Sequence, residues 1–370
     1  MLDKKKILMY VYGDITTDAR VQRAANALSN NFDVTVLSHD KGKKVEDGAY
    51  RNILLKGWSG HPFLTTLGTV WNAYKLVKRE RPDCVYCHDY YSSLLCRLLL
   101  NKKYCKRIIY DAHELIIPEE GHPMDSRQRI YYKLEKSIVK KVDLVISASR
   151  ERSEMMKQHY NLSTTPLAIN NISQLTISDG SPTKETLKSL EAFFAKPGVT
   201  VVYAGVVTKS RRIGQLLDAV ISLAPMFKLL VVGNGDALGD LRQKAESVPE
   251  LVSAFTGAVP YKSLGAILSR CDIGFLYYPV DTLNNTYCAS NKIYEYASVG
   301  LPMLANENPT VKQILEKTLI GLSNDNFAEG LQIISAEVEK YKNNCLLFTQ
   351  KNQWSEEARK LEEAIRRIIQ

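Results

Sequence analysis

Short apolar runs rich in β-branched residues alternate with helical periods along almost the whole chain, and this alternation leaves few folds open. The first half offers strands at 7–12 (ILMYVY), 33–37, 83–87, 107–110 and 143–147, with helical patterns near 17–30, 65–80, 91–101, 127–141 and 150–160. The pattern breaks after Asn170 into the polar, turn-rich run NISQLTISDGSP. It restarts at 199–205, 229–233, 272–277 and 302–305, with helices near 211–224, 236–246, 261–270, 310–318 and 355–369. Strands separated by helices form βαβ units and parallel sheets. A chain of 370 residues also exceeds one ordinary core. The sequence therefore predicts an α/β protein of two doubly wound, Rossmann-like domains. Their expected limits are 1–170 and 183–354, with a linker at 171–182 and a closing segment at 355–370.

Hydrophobic residues make up 45% of the chain, enough for a fully folded protein. No apolar run reaches the roughly 18 residues of a membrane span, and Met1–Lys6 leads into a strand without a signal-peptide core, so a cytoplasmic protein is expected. Seven cysteines in no disulfide-framework spacing fit a reducing compartment. Cys84-Val85-Tyr86-Cys87-His88 satisfies the c-type haem attachment pattern, but the segment reads as a buried strand, and no cofactor is expected. Residues 1–170 carry 28 Lys and Arg against 19 Asp and Glu, which accounts for the whole net charge of +9. A basic half implies an anionic partner: nucleic acid, an anionic membrane or a phosphate-bearing substrate.

Open parallel sheets bind ligands beyond the carboxyl ends of their strands. After the first strand comes Gly13-Asp14-Ile15-Thr16-Thr17-Asp18-Ala19-Arg20-Val21, where Gly13 permits close backbone approach and Thr17 or Asp18 can cap a helix. After 83–87 comes His88-Asp89. After 107–110 comes Asp111-Ala112-His113-Glu114, a histidine placed to contact a hydroxyl or relay a proton. In the second half Gly205 leads through Lys209, Arg211 and Arg212 into a helix, an arrangement suited to a diphosphate. Asn291-Lys-Ile-Tyr-Glu-Tyr-Ala-Ser-Val-Gly-Leu-Pro302 predicts a short helix with Lys292 and Glu295 on one face. It is entered from Ser290 and stopped by Gly300 and Pro302. Lysine there can neutralise a diphosphate while Glu295 accepts hydrogen bonds from vicinal hydroxyls. Each stretch also suits a plain structural role: a capped turn, a structural histidine, a solvated basic loop, a surface ion pair. Gly233-Asn-Gly-Asp-Ala-Leu-Gly239 nearly matches a dinucleotide fingerprint, but its last glycine comes one residue late.

Taken together and in order, these stretches resemble the retaining glycosyltransferases of family four, with the two-domain GT-B fold, over residues 7–365. The resemblance implies two domains facing across a cleft, with the last helix crossing back to the first. It implies a metal-independent enzyme moving a sugar from a nucleoside-diphosphate sugar, expected to be a UDP-sugar, to a hydroxyl of a glycan or lipid-linked glycan. His113, the Gly13 loop, Arg211 and Lys292 would then be catalytic. Gly205, Val259, Ser290, Asn291 and Glu295 would join Arg211 and Lys292 on the donor, and Asp18, Arg20, His88 and Asp89 would line the acceptor side. Two departures stand out. Val206 sits where relatives carry arginine, which leaves the anchoring charge to Arg211, and Tyr287 sits where many carry a first glutamate eight positions before Glu295.

Other classes stay open on the sequence. A basic α/β nucleic-acid-binding protein would explain the charge, although interleaved aromatic or groove-reading motifs are missing and no nucleic acid is expected. A GT-B epimerase or phosphorylase would use the same donor residues. Residues 127–141 combine six cations with apolar Ile130, Tyr131, Leu134, Ile138 and Val139 at helical spacing, which suits either an anionic membrane surface or packing on the sheet.

Overall fold

The computed structural model describes residues 4–42, 48–60, 62–177, 181–288 and 290–369. Residues 178–180 of the expected linker lie outside the described residues. The chain divides into two units, one formed by Met1–Asn171 with Ser355–Gln370 and the other by Ile172–Trp354.

In the first unit the elements are β1 (Lys6–Val11), α1 (Ala19–Ser29), β2 (Asp33–His39), β3 (Arg51–Leu55), α2 (Pro62–Glu80), β4 (Cys84–His88), α3 (Ser93–Leu99), β5 (Arg107–Ala112), α4 (Ser126–Ile138), β6 (Leu144–Ser147), α5 (Arg150–Tyr160) and β7 (Leu167–Ala168). All seven strands are parallel, in the order β3-β2-β1-β4-β5-β6-β7. Alternate residues of each strand serve opposite faces. Leu8, Tyr10, Val85, Cys87, Ile108 and Tyr110 pack with α2, α3 and α4. The strand order reverses between β1 and β4, and a crevice opens at such a point.

The second unit holds α6 (Ser181–Phe194), β8 (Val199–Ala204), α7 (Ile213–Ser222), β9 (Phe227–Val232), α8 (Leu238–Glu246), β10 (Ser253–Gly257), α9 (Tyr261–Leu268), β11 (Ile273–Leu276), α10 (Leu283–Thr286), α11 (Asn291–Ser298), β12 (Met303–Ala305), α12 (Pro309–Thr318), β13 (Gly321–Ser323), α13 (Phe327–Ala336) and α14 (Val338–Lys351). Its six parallel strands run β10-β9-β8-β11-β12-β13, reversing between β8 and β11. Val202, Ala204, Leu230 and Val232 serve one core, while Val201, Tyr203, Leu229 and Val231 serve the other.

The last helix, α15 (Trp354–Ile369), returns to the first unit. Asn31 donates to Glu362 Oε1 at 2.9 Å, the Arg366 guanidinium lies 5.5 Å from the Phe32 ring, and the buried Glu357 carboxylate accepts from the Asn170 backbone N–H at 3.0 Å. Leu361 and Ile365 are fully buried.

The cysteines are all free and buried, and Cys84 and Cys87 lie inside β4, as the strand reading of the haem-like motif requires. The helix over 127–141 spends its apolar face on packing. Tyr131, Ile138 and Val139 are buried, and only Ile130 among its strongly apolar residues is exposed. Of the two roles open to residues 127–141, this burial accounts for packing on the sheet.

Candidate functional site

Each unit places its distinctive residues at its own switch point. In the first unit β4 runs one residue further than its apolar pattern suggests, to His88, and β5 runs to Ala112. His88 is consequently sealed in the sheet, with its Nε2 lacking a hydrogen-bond partner among the described residues. Asp111 also lies inside β5, fully buried, and Arg20 reaches it from α1. Arg20 Nη2 donates to Asp111 Oδ1 at 2.8 Å and Nη1 to the Ile169 carbonyl at 2.8 Å. The Tyr86 hydroxyl donates to Asp111 Oδ2 at 2.9 Å. Burial alone would raise the Asp111 carboxyl, but Arg20, with His113 and His88, outweighs it and holds the group well below the usual carboxylate range. Arg20 and His88 were expected on the acceptor side. Both are buried, Arg20 against Asp111 and His88 with its Nδ1 3.2 Å from His113 Nε2.

His113 is the first residue beyond β5, and its side chain is 16% exposed. Its Nε2 lies 3.2 Å from His88 Nδ1 and 3.8 Å from Asp111 Oδ2. Burial lowers its pKa, Asp111 opposes, and Arg20 and His88 add to the lowering, leaving the imidazole at about 4 and neutral at ordinary pH. The ligand atoms of His88, Asp111 and His113 lie within 4.8 Å of one another, close enough to share a cation. Arg20 and Tyr86 each donate to one Asp111 oxygen, which ties this cluster into a hydrogen-bonded network.

Asp18 caps α1 by accepting from Val21 N at 3.1 Å. Asp89 adopts φ 62 and ψ 164, a backbone region ordinarily reserved to glycine, and strain of this kind gathers at functional sites. Burial pushes its carboxyl up to about 7 against the Tyr90 N–H bond that lowers it. At Gly13 a side chain would meet only Val11 Cγ2, at 3.8 Å. The fold does not demand glycine there, so what glycine provides is open space at the crevice.

An aromatic cluster that sequence reasoning did not single out stands beside these loops. Tyr12 stacks on His39 and meets Tyr91 at 5.5 Å, Tyr91 meets Tyr131 at 5.1 Å, and the Arg127 guanidinium lies 5.0 Å over Tyr91. The signal available was the Tyr90-Tyr91 pair directly after His88-Asp89.

In the second unit Gly205 ends β8 with φ +155. A Cβ at Gly233 would fall 1.8 Å from the Gly205 carbonyl oxygen, and one at Gly235 2.0 Å from that of Val207. The Gly-Asn-Gly run thus serves close loop packing, which explains its incomplete resemblance to a dinucleotide fingerprint. Arg211 is fixed from two sides: its Nη1 donates to the Tyr277 carbonyl at 2.8 Å, and its guanidinium lies 4.7 Å over the Tyr278 ring. Tyr278 in turn donates to Ser290 Oγ at 2.7 Å, at the N-terminus of α11. Tyr278 was missed, and only the arginine-aromatic contact identifies it.

Lys292 and Glu295 share one face of α11, with Nζ 2.6 Å from Oε2. Tyr261 donates to Glu295 Oε1 at 3.1 Å, and Tyr261 is linked to Ser173 at 2.8 Å. Glu295 is buried and Lys292 partly exposed. The ribose contact expected of Glu295 is therefore filled, in the ligand-free chain, by Lys292 and Tyr261. Asn291 Oδ1 is buried without a hydrogen-bond partner among the described residues, and no side chain caps α11. An uncapped helix start offers free backbone N–H donors, and with Arg211 and Lys292 it forms an anion-receptive surface. Val259 is partly buried in the loop before α9.

Residues 19–169 match the family described as Glycosyltransferase Family 4. No curated protein sequence matches the chain. Among solved structures, sucrose-phosphate synthase from Thermosynechococcus elongatus is similar with a TM-score of 0.72 at 16% identity, covering 99% of both chains. HepE from Anabaena, in complex with UDP-glucose, gives 0.73 at 15% identity, covering 97% of this chain and 99% of that one. WaaG, a glycosyltransferase involved in lipopolysaccharide biosynthesis, gives 0.71 at 12% identity, covering 97% and 99%. The chain thus has the GT-B fold of these proteins, and the stretch that matches the glycosyltransferase family 4 model lies in its first unit.

Proposed function

We propose that the protein is a retaining, metal-independent transferase that moves a sugar from a UDP-sugar to a hydroxyl of a glycan or lipid-linked glycan. The observation that carries this reading is the surface built by Arg211, Lys292 and the uncapped start of α11 at Asn291. Such a surface favours a diphosphate, whose charge grows as the glycosidic bond breaks, and fixed cations that strengthen then accelerate that step. Glu295 would exchange Tyr261 or Lys292 for the ribose hydroxyls. The UDP-glucose bound by HepE supports the choice of UDP.

On the first unit, His113 would hold a hydroxyl of the transferred sugar with its neutral imidazole, and the open space at Gly13 would admit donor phosphate or acceptor. Arg20, Asp111 and His88 set the orientation and charge state of His113. Tyr12, Tyr90 and Tyr91, with Asp18 and Asp89 nearby in the loops, would receive the acceptor.

Thermal-shift screening of the whole chain against UDP-, GDP-, ADP- and dTDP-sugars tests the donor class. A ligand at about one hundred times its Kd stabilises by about 2.7 kcal/mol. UDP-sugars should raise the midpoint, and Arg211→Ala should remove most of the shift. A shift with none of the four, or an undiminished shift in the variant, would reject the donor assignment.

A further inference from the structure

One cation at the first unit's crevice has no partner that explains it. α4 begins at Ser126, and its first turn is closed by a reciprocal cap: Asp125 Oδ1 accepts from the Gln128 N–H at 2.7 Å, and the Asp125 N–H donates to Gln128 Oε1 at 2.9 Å. The two arginines of this turn then diverge. Arg129 Nε donates back to the Met124 carbonyl at 2.9 Å and completes the turn. Arg127 is exposed and makes no ion pair among the described residues. Its neighbours are tyrosines, with the guanidinium 5.0 Å over Tyr91 and 6.0 Å over Tyr131.

Those tyrosines carry the cation to the switch point. Tyr90 and Tyr91 form the turn directly after His88-Asp89, with ring centroids 4.2 Å apart, and Tyr91 meets Tyr12, the residue between β1 and Gly13, at 5.5 Å. Tyr131 supports them edge-on, 5.3 Å from Tyr90 and 5.1 Å from Tyr91. Tyr131 is buried, whereas Tyr12, Tyr90 and Tyr91 are each partly exposed. An aromatic platform therefore runs from the Gly13 loop, through the loop after β4, to the start of α4.

The platform is positive at both ends. At the far end burial, and then the charge of Lys41, lower the pKa of His39, which stacks on Tyr12. Asp14, Asp40 and Asp89 each accept a backbone N–H of their own loop, from Thr16 at 2.9 Å, Gly42 at 2.8 Å and Tyr90 at 2.8 Å, and none pairs with Arg127. A planar guanidinium held on aromatic faces and left unpaired is a ready fork for the two oxygens of a carboxylate or phosphate. Tyrosine rings with hydroxyls at their rims suit a sugar, whose ring has an apolar C–H face and a polar edge.

We propose that the acceptor is an anionic sugar, whose phosphate or carboxylate is bound by Arg127 while its ring lies on Tyr12, Tyr90 and Tyr91. The inference rests on the acceptor reading of this crevice and narrows it. A neutral glycan would use the tyrosines and leave the guanidinium without a partner. Phosphate and carboxylate offer the fork the same pair of oxygens, so the test carries both.

The test titrates the full chain, with and without UDP, by ligand-detected nuclear magnetic resonance. The probes are the methyl glycoside, the 6-phosphate and the uronate of glucose and of galactose, with inorganic phosphate as the control that lacks a ring. At least one charged sugar should bind more tightly than its methyl glycoside, and the stronger of 6-phosphate and uronate identifies the anion. Arg127→Gln should weaken that charged sugar about tenfold to a hundredfold, the size of a charged hydrogen-bonded contact, and change the methyl glycoside by less than about twofold. A merely structural Arg127 would weaken both alike. Tyr91→Leu should weaken both forms, since both share the ring contact. The thermal shift with UDP should be the same in Arg127→Gln as in the wild type, because Arg211, Lys292 and Glu295 belong to the other unit. That shift keeps two failures apart: its absence from the wild type rejects the donor assignment and leaves the sugar titrations to decide the acceptor. Equal binding of charged and neutral sugars would overturn the proposal, as would equal losses of both in Arg127→Gln. So would binding by no sugar of the panel, or inorganic phosphate bound as tightly as the sugar phosphates.

Discussion

Changing Asp111 to Asn keeps the shape of the side chain and removes the one charge that balances Arg20. Arg20 and Asp111 side chains are 7% and 2% exposed, and the Arg20 guanidinium would then face only the Ile169 and Ser147 carbonyls. Breaking a buried pair by deleting one partner costs about 3–5 kcal/mol, because the other charge stays buried and uncompensated. Against a domain stability of about 5–15 kcal/mol, that is a large fraction. The Tyr86 hydroxyl bond survives in the variant, since the amide oxygen still accepts it. Adding Arg20→Met removes the orphaned charge, so the double variant should recover part of the loss, and the cycle should show a coupling of about 2 kcal/mol or more. Urea unfolding followed through Trp58 and Trp71, in a Trp354→Phe background, reports on the first unit. Because the Asp111 carboxyl is depressed in the folded chain, its contribution is complete above the ordinary carboxylate value near 4. The gap between wild type and Asp111→Asn should therefore narrow as the pH falls below that value. A loss under about 1 kcal/mol, the size of an exposed pair, would refute the account, as would a double variant no better than the worse single one.

Glu295→Gln should lower UDP-sugar affinity about tenfold to a hundredfold, matching the roughly 1.5–3 kcal/mol of a charged hydrogen bond, and unchanged calorimetry would remove Glu295 from the donor surface. Gly13→Ala should leave the unfolding midpoint unmoved, since its Cβ meets only Val11 Cγ2 at 3.8 Å, while transfer slows. Full activity there would mean that no ligand approaches the loop. His113→Ala should abolish transfer and spare nucleoside-diphosphate binding. In the wild type, with its pKa held at about 4, the His113 ring signals should not titrate between pH 8 and 5, and a midpoint near 6.5 would contradict the buried relay. Burial raises Glu135 to about 8 from an ordinary 4.5, so its ionised form costs stability increasingly as the pH climbs between those values, at about 1.4 kcal/mol per pH unit. Glu135→Gln should therefore be stabilising at pH 8 relative to its effect at pH 5, checked by unfolding midpoints at both.

Central strands were legible in the sequence because a strand buried on both faces reads as a continuous apolar run, as in β1, β4, β8 and β9. Edge strands were not. β3 and β10 are only half buried, and the short β7 and β13 are two and three residues long, so none carries a period that stands out. Helices α6, α13 and α14 also went unread, α6 because its start lies in a polar stretch resembling a linker. At the candidate site the difference came down to one or two residues of strand length. The apolar pattern ends β4 at Cys87 and β5 at Tyr110, whereas the ladder pairs His88 with both Val11 and Asp111. That extension turns His88 and Asp111 from loop residues into buried ones and leaves His113 as the exposed end. The Arg20–Asp111 pair joins positions 91 residues apart, and no local spacing announces it.

The return of α15 to the first unit sets an order of completion during synthesis. Residues 172–354 emerge as an uninterrupted unit and can close their own core as soon as they leave the ribosome. The unit begun first must wait for Glu357, Leu361 and Ile365 before the Asn170 N–H finds its acceptor and Phe32 its cover. At about 5–20 residues per second, the roughly 200 residues between the two segments impose a delay on the order of 10–40 s. Throughout that interval the basic unit lacks the helix that covers Phe32 and bonds Asn170. Loss of the final two turns would leave the second unit intact and the first one permanently unfinished.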